Sequence, residues 1–589
     1  MTGRLSLSWV NKDLALMMAD DGGYRWVERE DPDVTAVRLL EGGDRVGEVT
    51  GTPADNLLIQ GDNYHALHAL ARIPEYAEQY LGKVKLVYID PPFNTGQAFE
   101  HYDDSLEHSV WLGMMRERLL LIRELMAADG SLWVHLDDAE MAYCRALLDE
   151  VFGRRNFIGT VIWQKIHARN NSAQHISADH DYILLYARDK TALTLGRVDR
   201  TELSDSDFWN PDNDPRGRWR RSDLTASHEY SEKYEVTGPY GDPFVPRENR
   251  WWSVSRETFE ALRADNRIWW GVSGRTFPFR KRFESELGGL VPTTIWLHDF
   301  VGDNREAKGE LTRLSNRSEI FSTPKPERLM KRIIELATEP GDIVLDCFAG
   351  SGTTGAVAHK LGRRWVMMES SPATVRTFTK PRLEKVVNDQ DDGGITQETV
   401  EEFEGELPDE VAPSDVRRTA AVLGKLLETG AFTDIDGLDG AGTKAVLGLL
   451  RSLGRTKKRV VRHWSGGGGF RVLEVGPAPY LYAAGRVLLT DWVKEEMFAK
   501  TAAAQLGFSF QPDGPFVGRR GFARLAVVDG VADDVGVKSI VSNLDDGELV
   551  TIVAKGVAPG AEEALRQLST GSRLVKAPDD LARRGKVVR

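Results

Sequence analysis

Residues 88–96 read YIDPPFNTG, an apolar strand running straight into an acid, two prolines and an aromatic ring. Asp90 offers hydrogen-bond acceptors, Pro91 and Pro92 stiffen the backbone that follows, and Phe93 offers a face for stacking. Taken alone, the motif is equally a proline turn capped by its acid. A second stretch, DCFAGSGTTG at 346–355, also sits where a strand gives way to a helix. Its Gly350, Gly352 and Gly355 fit the GxGxxG spacing, in which glycines allow a tight turn and close approach of a ligand to the backbone. Glu369 ends the next strand, where an acid binds the two hydroxyls of a ribose. No Lys follows the glycines, so this is not a Walker A loop; a structural turn or a nicotinamide site remains open. The two stretches together are more specific. An adenosine-containing ligand on 346–369 would lie at the carboxyl ends of parallel strands, and Asp90 to Phe93 would face it across a cleft if strand 85–90 is a neighbour.

The elements around these stretches alternate. KLVYID (85–90), SLWVHLDD (131–138), FIGTVIWQK (157–165) and DYILLYARD (181–189) read as strands, and 109–130 as a helix closed by a glycine. Alternation stops near residue 190 and resumes with helix 325–338 and strands 342–348 and 364–370. The expected fold is α/β: a doubly wound, mostly parallel Rossmann-like sheet with an inserted domain and a smaller C-terminal α/β domain. The expected boundaries are an N-terminal arm with short helices at 1–55, the first part of the main domain at 56–190, the insertion at 191–320, the second part at 321–387, an acidic linker at 388–410 and the C-terminal domain at 411–589. Cys144 falls on the apolar face of a helix and Cys347 beside the glycine loop; both read as packing residues.

At 589 residues the chain exceeds a single core. Hydrophobic residues make up 41% and charged residues 28%, as in a soluble globular protein. Two cysteines exclude a disulfide framework or a zinc knuckle. With no signal-like N-terminus and no membrane-length apolar run, a cytoplasmic location is expected. The net charge of −13 argues against nucleic acid as a partner unless positive charge is concentrated locally.

DPPF followed much later by FAGSGTT resembles the amino-methyltransferases that modify exocyclic amines of DNA bases with S-adenosylmethionine. The order, catalytic motif before cofactor loop with a target-recognition insertion between them, is that of the circularly permuted beta class. The likeness covers roughly residues 55–390 and includes LIQGDN (58–63), VFGRRNFIGTVIWQK (151–165), HDYILLYARD (180–189) and STPKPERLMKRII (322–334). With NPDNDPRGRWR and the C-terminal region it extends to modification (Mod) subunits of type III restriction systems. The resemblance implies transfer to adenine N6, since Asp stands at the first motif position where Ser goes more often with cytosine N4. Asp90 and the Pro91 carbonyl would each accept one amino hydrogen, Pro92 would help hold that carbonyl, and the lone pair would point at the methyl group. Phe93 would stack on a base flipped from the duplex. Displacement would be direct, with no metal and no covalent intermediate. Asp346, Phe348, Gly350 and Gly352 would cradle the cofactor, with Ser351 and Thr353 near its methionine end. Glu369 would hold the ribose, Asp62 the adenine and Lys325 the methionine carboxylate, although Asp62 also reads as a turn residue and Lys325 as a solvated helix residue.

The insertion concentrates positive charge. Arg216, Arg218, Arg220 and Arg221 flank Trp219, and Arg280, Lys281 and Arg282 follow TFPF. Such residues contact phosphates, pair with guanine or stack on bases; they equally pack a loop-rich domain and pair with its acids. Double-stranded DNA is the expected partner, in a homodimer, with any cleavage carried by a separate restriction (helicase–nuclease) chain. The alternatives are a cytosine-N4 enzyme, an RNA or protein-glutamine methyltransferase on the same fold, a nicotinamide-dependent dehydrogenase that leaves DPPF without a role, and a DNA-binding scaffold with a decayed site.

Overall fold

The computed structural model describes residues 6–583 apart from 20–22, 95–97, 100–101, 104–106, 168–174, 199–207, 230–232, 287, 315–320, 404–412, 430–439 and 484–485. The parts of the expected arm, insertion and linker that fall on those residues lie outside the description. The chain divides into two compact units: Met1–Gly196 with Thr293–Gln397 and Arg462–Arg589, and Arg197–Pro292 with Glu398–Val461.

The first unit is built on a ten-stranded sheet: β1 (Leu40–Gly47), β2 (Asn56–Gln60), β3 (Val84–Ile89), β4 (Met126–Leu136), β5 (Phe157–Gln164), β6 (His180–Ala187), β7 (Ile295–Trp296), β8 (Ile343–Asp346), β9 (Arg364–Glu369) and β10 (Gly469–Val475). Their order across the sheet is β7-β5-β6-β4-β3-β8-β9-β2-β10-β1. The six strands from β4 to β10 are mutually parallel. β6 runs antiparallel to β4, and β1 antiparallel to β10. The central strands are near-continuous apolar runs because helices cover both faces: Val84, Leu86, Val87 and Ile89 of β3 and Val344 and Leu345 of β8 are fully buried. The helices that matter most to the cleft are α1 (Asn63–Arg72), α2 (His108–Leu125), α3 (Glu327–Ala337), α4 (Thr353–Lys360) and α5 (Lys380–Val387).

Three expected boundaries move. The N-terminal arm is mainly strand, a hairpin of Ala15–Met18 with Tyr24–Val27 followed by β1. The C-terminal domain is not one block: residues up to 461 group with the insertion, and β10 enters the main sheet beside β2. The five-stranded sheet of Ser509–Asp513, Phe516–Arg520, Ala523–Ala532, Leu549–Val557 and Arg573–Lys576 is the expected smaller α/β layer. The linker begins as packed chain, since Asp391 and Thr396 are buried. Its anchor is the Lys360 ammonium, which donates to Asp391 Oδ2 at 2.6 Å and to Glu327 Oε2 at 2.7 Å. Arg382 Nη2 reaches Glu327 Oε1 at 2.9 Å, so one buried ionic cluster joins α3, α4, α5 and the start of the linker. Among the described residues, no helix is long and apolar enough to cross a membrane.

Candidate active site

β3 and β8 are neighbours, with Ile343 beside Val84 and Leu345 beside Val87. Their carboxyl ends therefore deliver Asp90 and Asp346 to one edge of the sheet. Glu369 closes β9 and Asp62 follows β2 along that same edge, with Glu369 beside Gln60. A cleft of about 630 Å³ opens there, lined by Asp90, Pro91, Pro92 and Phe93 and by every residue the resemblance gave to the cofactor except Gly352. That is the usual size and place for a ligand site in such a sheet.

Each carboxylate on this edge is held differently. Asp62 caps α1, its Oδ1 accepting from the Tyr64 N–H at 2.8 Å, while its Oδ2 accepts from Arg118 Nη2 at 2.8 Å. Burial alone would raise the Asp62 pKa, but the Arg118 charge and the cap hydrogen bonds outweigh it and hold it low. Glu369 accepts from the Gly350 N–H and the Ser371 N–H, each at 2.9 Å, and burial lifts its pKa. Asp346 is 2% exposed; its Oδ1 accepts from the Phe348 N–H at 2.9 Å and its Oδ2 pairs with Thr354 Oγ1 at 2.7 Å. Burial pushes Asp346 up to about 7, opposed by those two hydrogen bonds and reinforced by the charges of Asp90 and Glu369. Asp90 pairs through Oδ2 with Lys325 Nζ at 2.5 Å, and its Oδ1 is buried without a partner. Lys325 thus engages Asp90, and it also stands 5.2 Å from the Phe93 ring centroid.

The glycine loop has the backbone expected of it. Gly350 and Gly352 have φ of +48° and +79°, where a side chain is strained, and a Cβ on Gly350 would lie 3.0 Å from the Phe321 ring. Gly352 makes the turn into α4. Ser351 and Thr353 are buried, their hydroxyls 3.1 Å apart, and Thr353 Oγ1 accepts from Arg382 Nη1 at 2.7 Å. Phe348 is half-buried against the main core. Cys347 and Cys144 are buried core residues whose thiol pKa values burial raises, as expected of packing side chains.

A family model described as DNA methylase, of the N6/N4 methyltransferase type, matches residues 84–380, half of the chain. The chain belongs to this DNA methylase family. It is 31% identical over 60% of its length to the type III restriction-modification enzyme StyLTI Mod subunit of Salmonella typhimurium, covering 55% of that protein. It is 29% identical over 61% of its length to the probable HindVI Mod subunit of Haemophilus influenzae, covering 54%. To the type II methyltransferase M.EcaI of Enterobacter cloacae it is 30% identical over 51% of its length, covering 64%. The match thus spans just over half the length of the two Mod subunits.

The chain supports its cleft with residues that motif spacing did not reveal. Trp111, fully buried on α2, donates its indole N–H to the Pro92 carbonyl at 2.8 Å and so fixes the proline turn. Asn94, at φ +61°, donates to Glu140 Oε1 at 2.6 Å, which His108 also reaches at 2.7 Å. Phe93 stacks on His135, centroids 5.9 Å apart and planes 19° apart. His135 in turn bonds Tyr88 Oη at 2.9 Å and Asp181 Oδ2 at 3.2 Å, and Lys165 Nζ meets Asp181 Oδ1 at 2.6 Å. Burial and the nearby Lys325 charge lower the His135 pKa. Asp181 is held near 2 because its bond to His135 and the Lys165 charge outweigh burial. The signal was there: a His within the apolar run SLWVHL and an Asp opening DYILLYA are polar positions on buried strands, which need a reason.

In the second unit the eight expected DNA contacts separate. Trp219 is fully buried and donates its indole N–H to Asp212 Oδ1 at 2.9 Å. Lys281 is equally buried, in contact with Asp212 and Asp214. Both are interior residues, which corrects their reading as surface contacts: the alternating pleat of their strands turns them into the aromatic core. Arg216 is committed to Asp214 through two hydrogen bonds, at 2.9 and 2.8 Å, and Arg218 to the Phe208 carbonyl at 3.1 Å. Arg220, Arg221, Arg280 and Arg282 lie on the same pair of strands.

Proposed function

We propose that the chain is an S-adenosylmethionine-dependent DNA methyltransferase acting on adenine N6 within specific sites of duplex DNA, the modification subunit of a restriction-modification or related defence system. The observation that carries this reading is the unpartnered, buried Asp90 Oδ1 at the edge of a cleft shared with the glycine loop. An orphaned acceptor of this kind costs stability unless a donor arrives, and an exocyclic amino group is such a donor.

The cleft suits a ligand carrying positive charge. Asp62, Asp90, Glu107, Asp137, Asp181, Asp346 and Glu369 line it, against the cations Lys325, Arg118 and Lys165. A sulfonium with an α-ammonium group answers that acidic excess. S-adenosylmethionine supplies an electrophilic methyl group. Asp346 and Glu369 hold the acidic side of its site, and Gly350 keeps the backbone open beside them. Asp90 Oδ1 accepts one amino hydrogen of the flipped base while Lys325 holds Oδ2, which fixes the carboxylate plane. The Pro91 carbonyl accepts the other hydrogen, on a turn that Trp111 locks through Pro92. An amino nitrogen held by two acceptors in this way turns its lone pair out of conjugation and toward the methyl group, a gain from preorganisation. Phe93, backed by the His135 ring, receives the base. Duplex DNA is the partner, a homodimer the assembly, and a separate restriction chain supplies cleavage.

Long-read sequencing of DNA from a methylation-free host expressing the protein or its Asp90→Ala variant tests the reading. N6-methyladenine in a single motif, present only with the intact protein, is expected. Cytosine-N4 modification would overturn the base, and unmodified DNA with either protein would overturn the substrate.

A further inference from the structure

The N-terminal hairpin stands outside residues 84–380, which the family model covers, yet it reaches the cleft: Met18, Gly23 and Tyr24 line it. A two-stranded ribbon with four residues a side is marginal by itself. Helix α2 supports it. Pairing sets Leu16 opposite Trp26 and Met18 opposite Tyr24, and residues two apart along a strand share a face. Leu16 and Trp26 press on Gly113 of α2, where a Cβ would lie 2.5 Å from the Trp26 ring and 3.3 Å from the Leu16 Cβ. A glycine there lets the indole come this close. Arg29 fixes the other end of the hairpin, donating to the Leu14 carbonyl at 3.2 Å and to the buried Glu117 at 3.1 Å. The hairpin thus follows α2 from Glu117 past Gly113 toward the helix N-terminus. Its next pair, Met18 and Tyr24, turns to the same side.

Helix α2 adds its own side chains to this wall. Val110, Met114 and Arg118 recur at helical spacing, and all three line the cleft. Arg118 ties the wall to the strand ends that carry the cofactor residues. Its Nη2 meets Asp62 Oδ2 at 2.8 Å, and its Nε donates to Asn63, whose amide reaches the Cys347 carbonyl at 2.7 Å. An aromatic ring, two thioethers and a valine beside a single carboxylate suit an uncharged, flat heteroaromatic with an exocyclic amine. We infer that Met18 and Tyr24 form one wall of a purine site in the cleft, and that the purine is the adenine of the cofactor. This rests on the S-adenosylmethionine reading above. The flipped base is the other purine at hand. The cofactor is favoured because Arg118 joins this wall to Asp62 and Asn63, whereas Asp90 and Phe93 serve the base.

The test is calorimetric titration of the full chain with S-adenosylmethionine and with 5′-methylthioadenosine, which keeps the adenosine and lacks the amino acid. Melting temperature and the KM for duplex DNA are measured alongside. Tyr24→Ala should weaken both ligands by the same factor, roughly 5- to 150-fold for a lost stack of ring on base, with the DNA KM unchanged. Tyr24→Phe, which keeps the ring, should bind both as the wild type does. Gly113→Ala lies outside the cleft lining and favours the helix, but its methyl group pushes on Trp26; it should lower both affinities while α2 stays folded. Wild-type affinity for both ligands in Tyr24→Ala and Gly113→Ala overturns the inference, whatever the melting temperature does. Weaker binding of S-adenosylmethionine alone moves the contact to its amino acid and overturns the purine assignment. A raised DNA KM with unchanged ligand affinities gives the wall to the flipped base and overturns the choice of the cofactor. A wild-type chain that binds neither ligand defeats the S-adenosylmethionine reading itself, an outcome distinct from variants that bind as well as the wild type.

Discussion

Asp346 turns the electrostatics of the cleft into a number. Its carboxyl is pushed up to about 7, chiefly by burial. It can hold a proton without giving up its hydrogen bonds. Thr354 Oγ1, 2.7 Å from Oδ2, can donate to the carboxylate, or it can turn its hydrogen toward Met330 Sδ at 3.6 Å and accept from the acid. A cationic ligand alongside favours the ionised form. If binding returns Asp346 to the ordinary range near 4, affinity rises with pH, and linkage puts the gain between pH 5 and pH 8 at roughly 80-fold. The same shift releases about one proton per ligand at pH 5.5 and almost none at pH 8.5. The sign is opposite for the unliganded fold. A raised carboxyl pKa leaves the folded state protonated where the unfolded state is not, so stability from this group falls as pH rises from about 4 to about 7. Asp346→Asn keeps the shape, accepts from the Phe348 N–H and donates to Thr354, but cannot ionise. Calorimetric titration with S-adenosylmethionine, in buffers of different ionisation enthalpy from pH 5.5 to 8.5, measures affinity and proton release together. The variant should bind with little pH dependence and release no proton beyond the ligand's own. Equal proton release from the two proteins, or a wild-type affinity that falls as pH rises, would refute the reasoning.

Three further outcomes concern side chains around the cleft. Trp111→Phe keeps the ring but leaves the Pro92 carbonyl without its donor, at a cost of about 1–3 kcal/mol; kcat should fall while cofactor affinity holds, checked by single-turnover methylation beside equilibrium binding. Lys325→Met frees Asp90 Oδ2, so turnover should fall by more than cofactor affinity does; a fall in affinity alone would mean that the lysine serves the cofactor carboxylate instead. Lys360→Met strands Asp391 as a buried anion and leaves Glu327 with Arg382 as its cation, a destabilisation of about 3–5 kcal/mol, read as a lower urea midpoint with an unchanged slope.

The sequence carried the placement of its two motifs better than the boundaries. Asp90 and the glycine loop could be paired from the chain because parallel strands present their carboxyl ends on one edge, whatever residues separate them. β10 was read into the C-terminal domain because FRVLEV lies about a hundred residues beyond the last strand of the main domain, and nothing local marks which sheet an apolar strand will join. The acidic run after 388 read as linker because charge usually means solvent; Asp391 is instead compensated by Lys360, a partner 31 residues away. Lys281 and Trp219 were misread for a similar reason. In FRKRF Lys281 and Phe283 turn inward on either side of the exposed Arg282, and in RWRRS Trp219 alone is buried; composition does not tell which residues these are. The register Arg221 with Lys281 and Arg220 with Arg282 decides it, and register is a long-range property.

The sheet also accounts for the order of the motifs. β3 lies between β4 and β8, so the chain that leaves β3 moves outward to one side of the sheet, and the chain that returns at β8 builds the other side through β9. The boundary between those two directions is a switch point, where neighbouring loops diverge and leave a crevice. Asp90 is the first residue after β3 and Asp346 is the last of β8, on adjacent strands about 4.8 Å apart, with Asp90 two residues beyond the position beside Asp346. Their separation is thus set by backbone hydrogen bonds between two fully buried strands, not by the residues that lie between them in the chain. An insertion between β6 and β7 can therefore change in length and content without moving acid relative to cofactor loop. Lys325 is the cleft cation that reaches Asp90 from the far side of the insertion, and it does so through the start of α3, which the buried Glu327 ties to α4 and α5. Ordering the chain after the insertion thereby completes the acid's environment, and the site forms only when both parts of the main unit have come together.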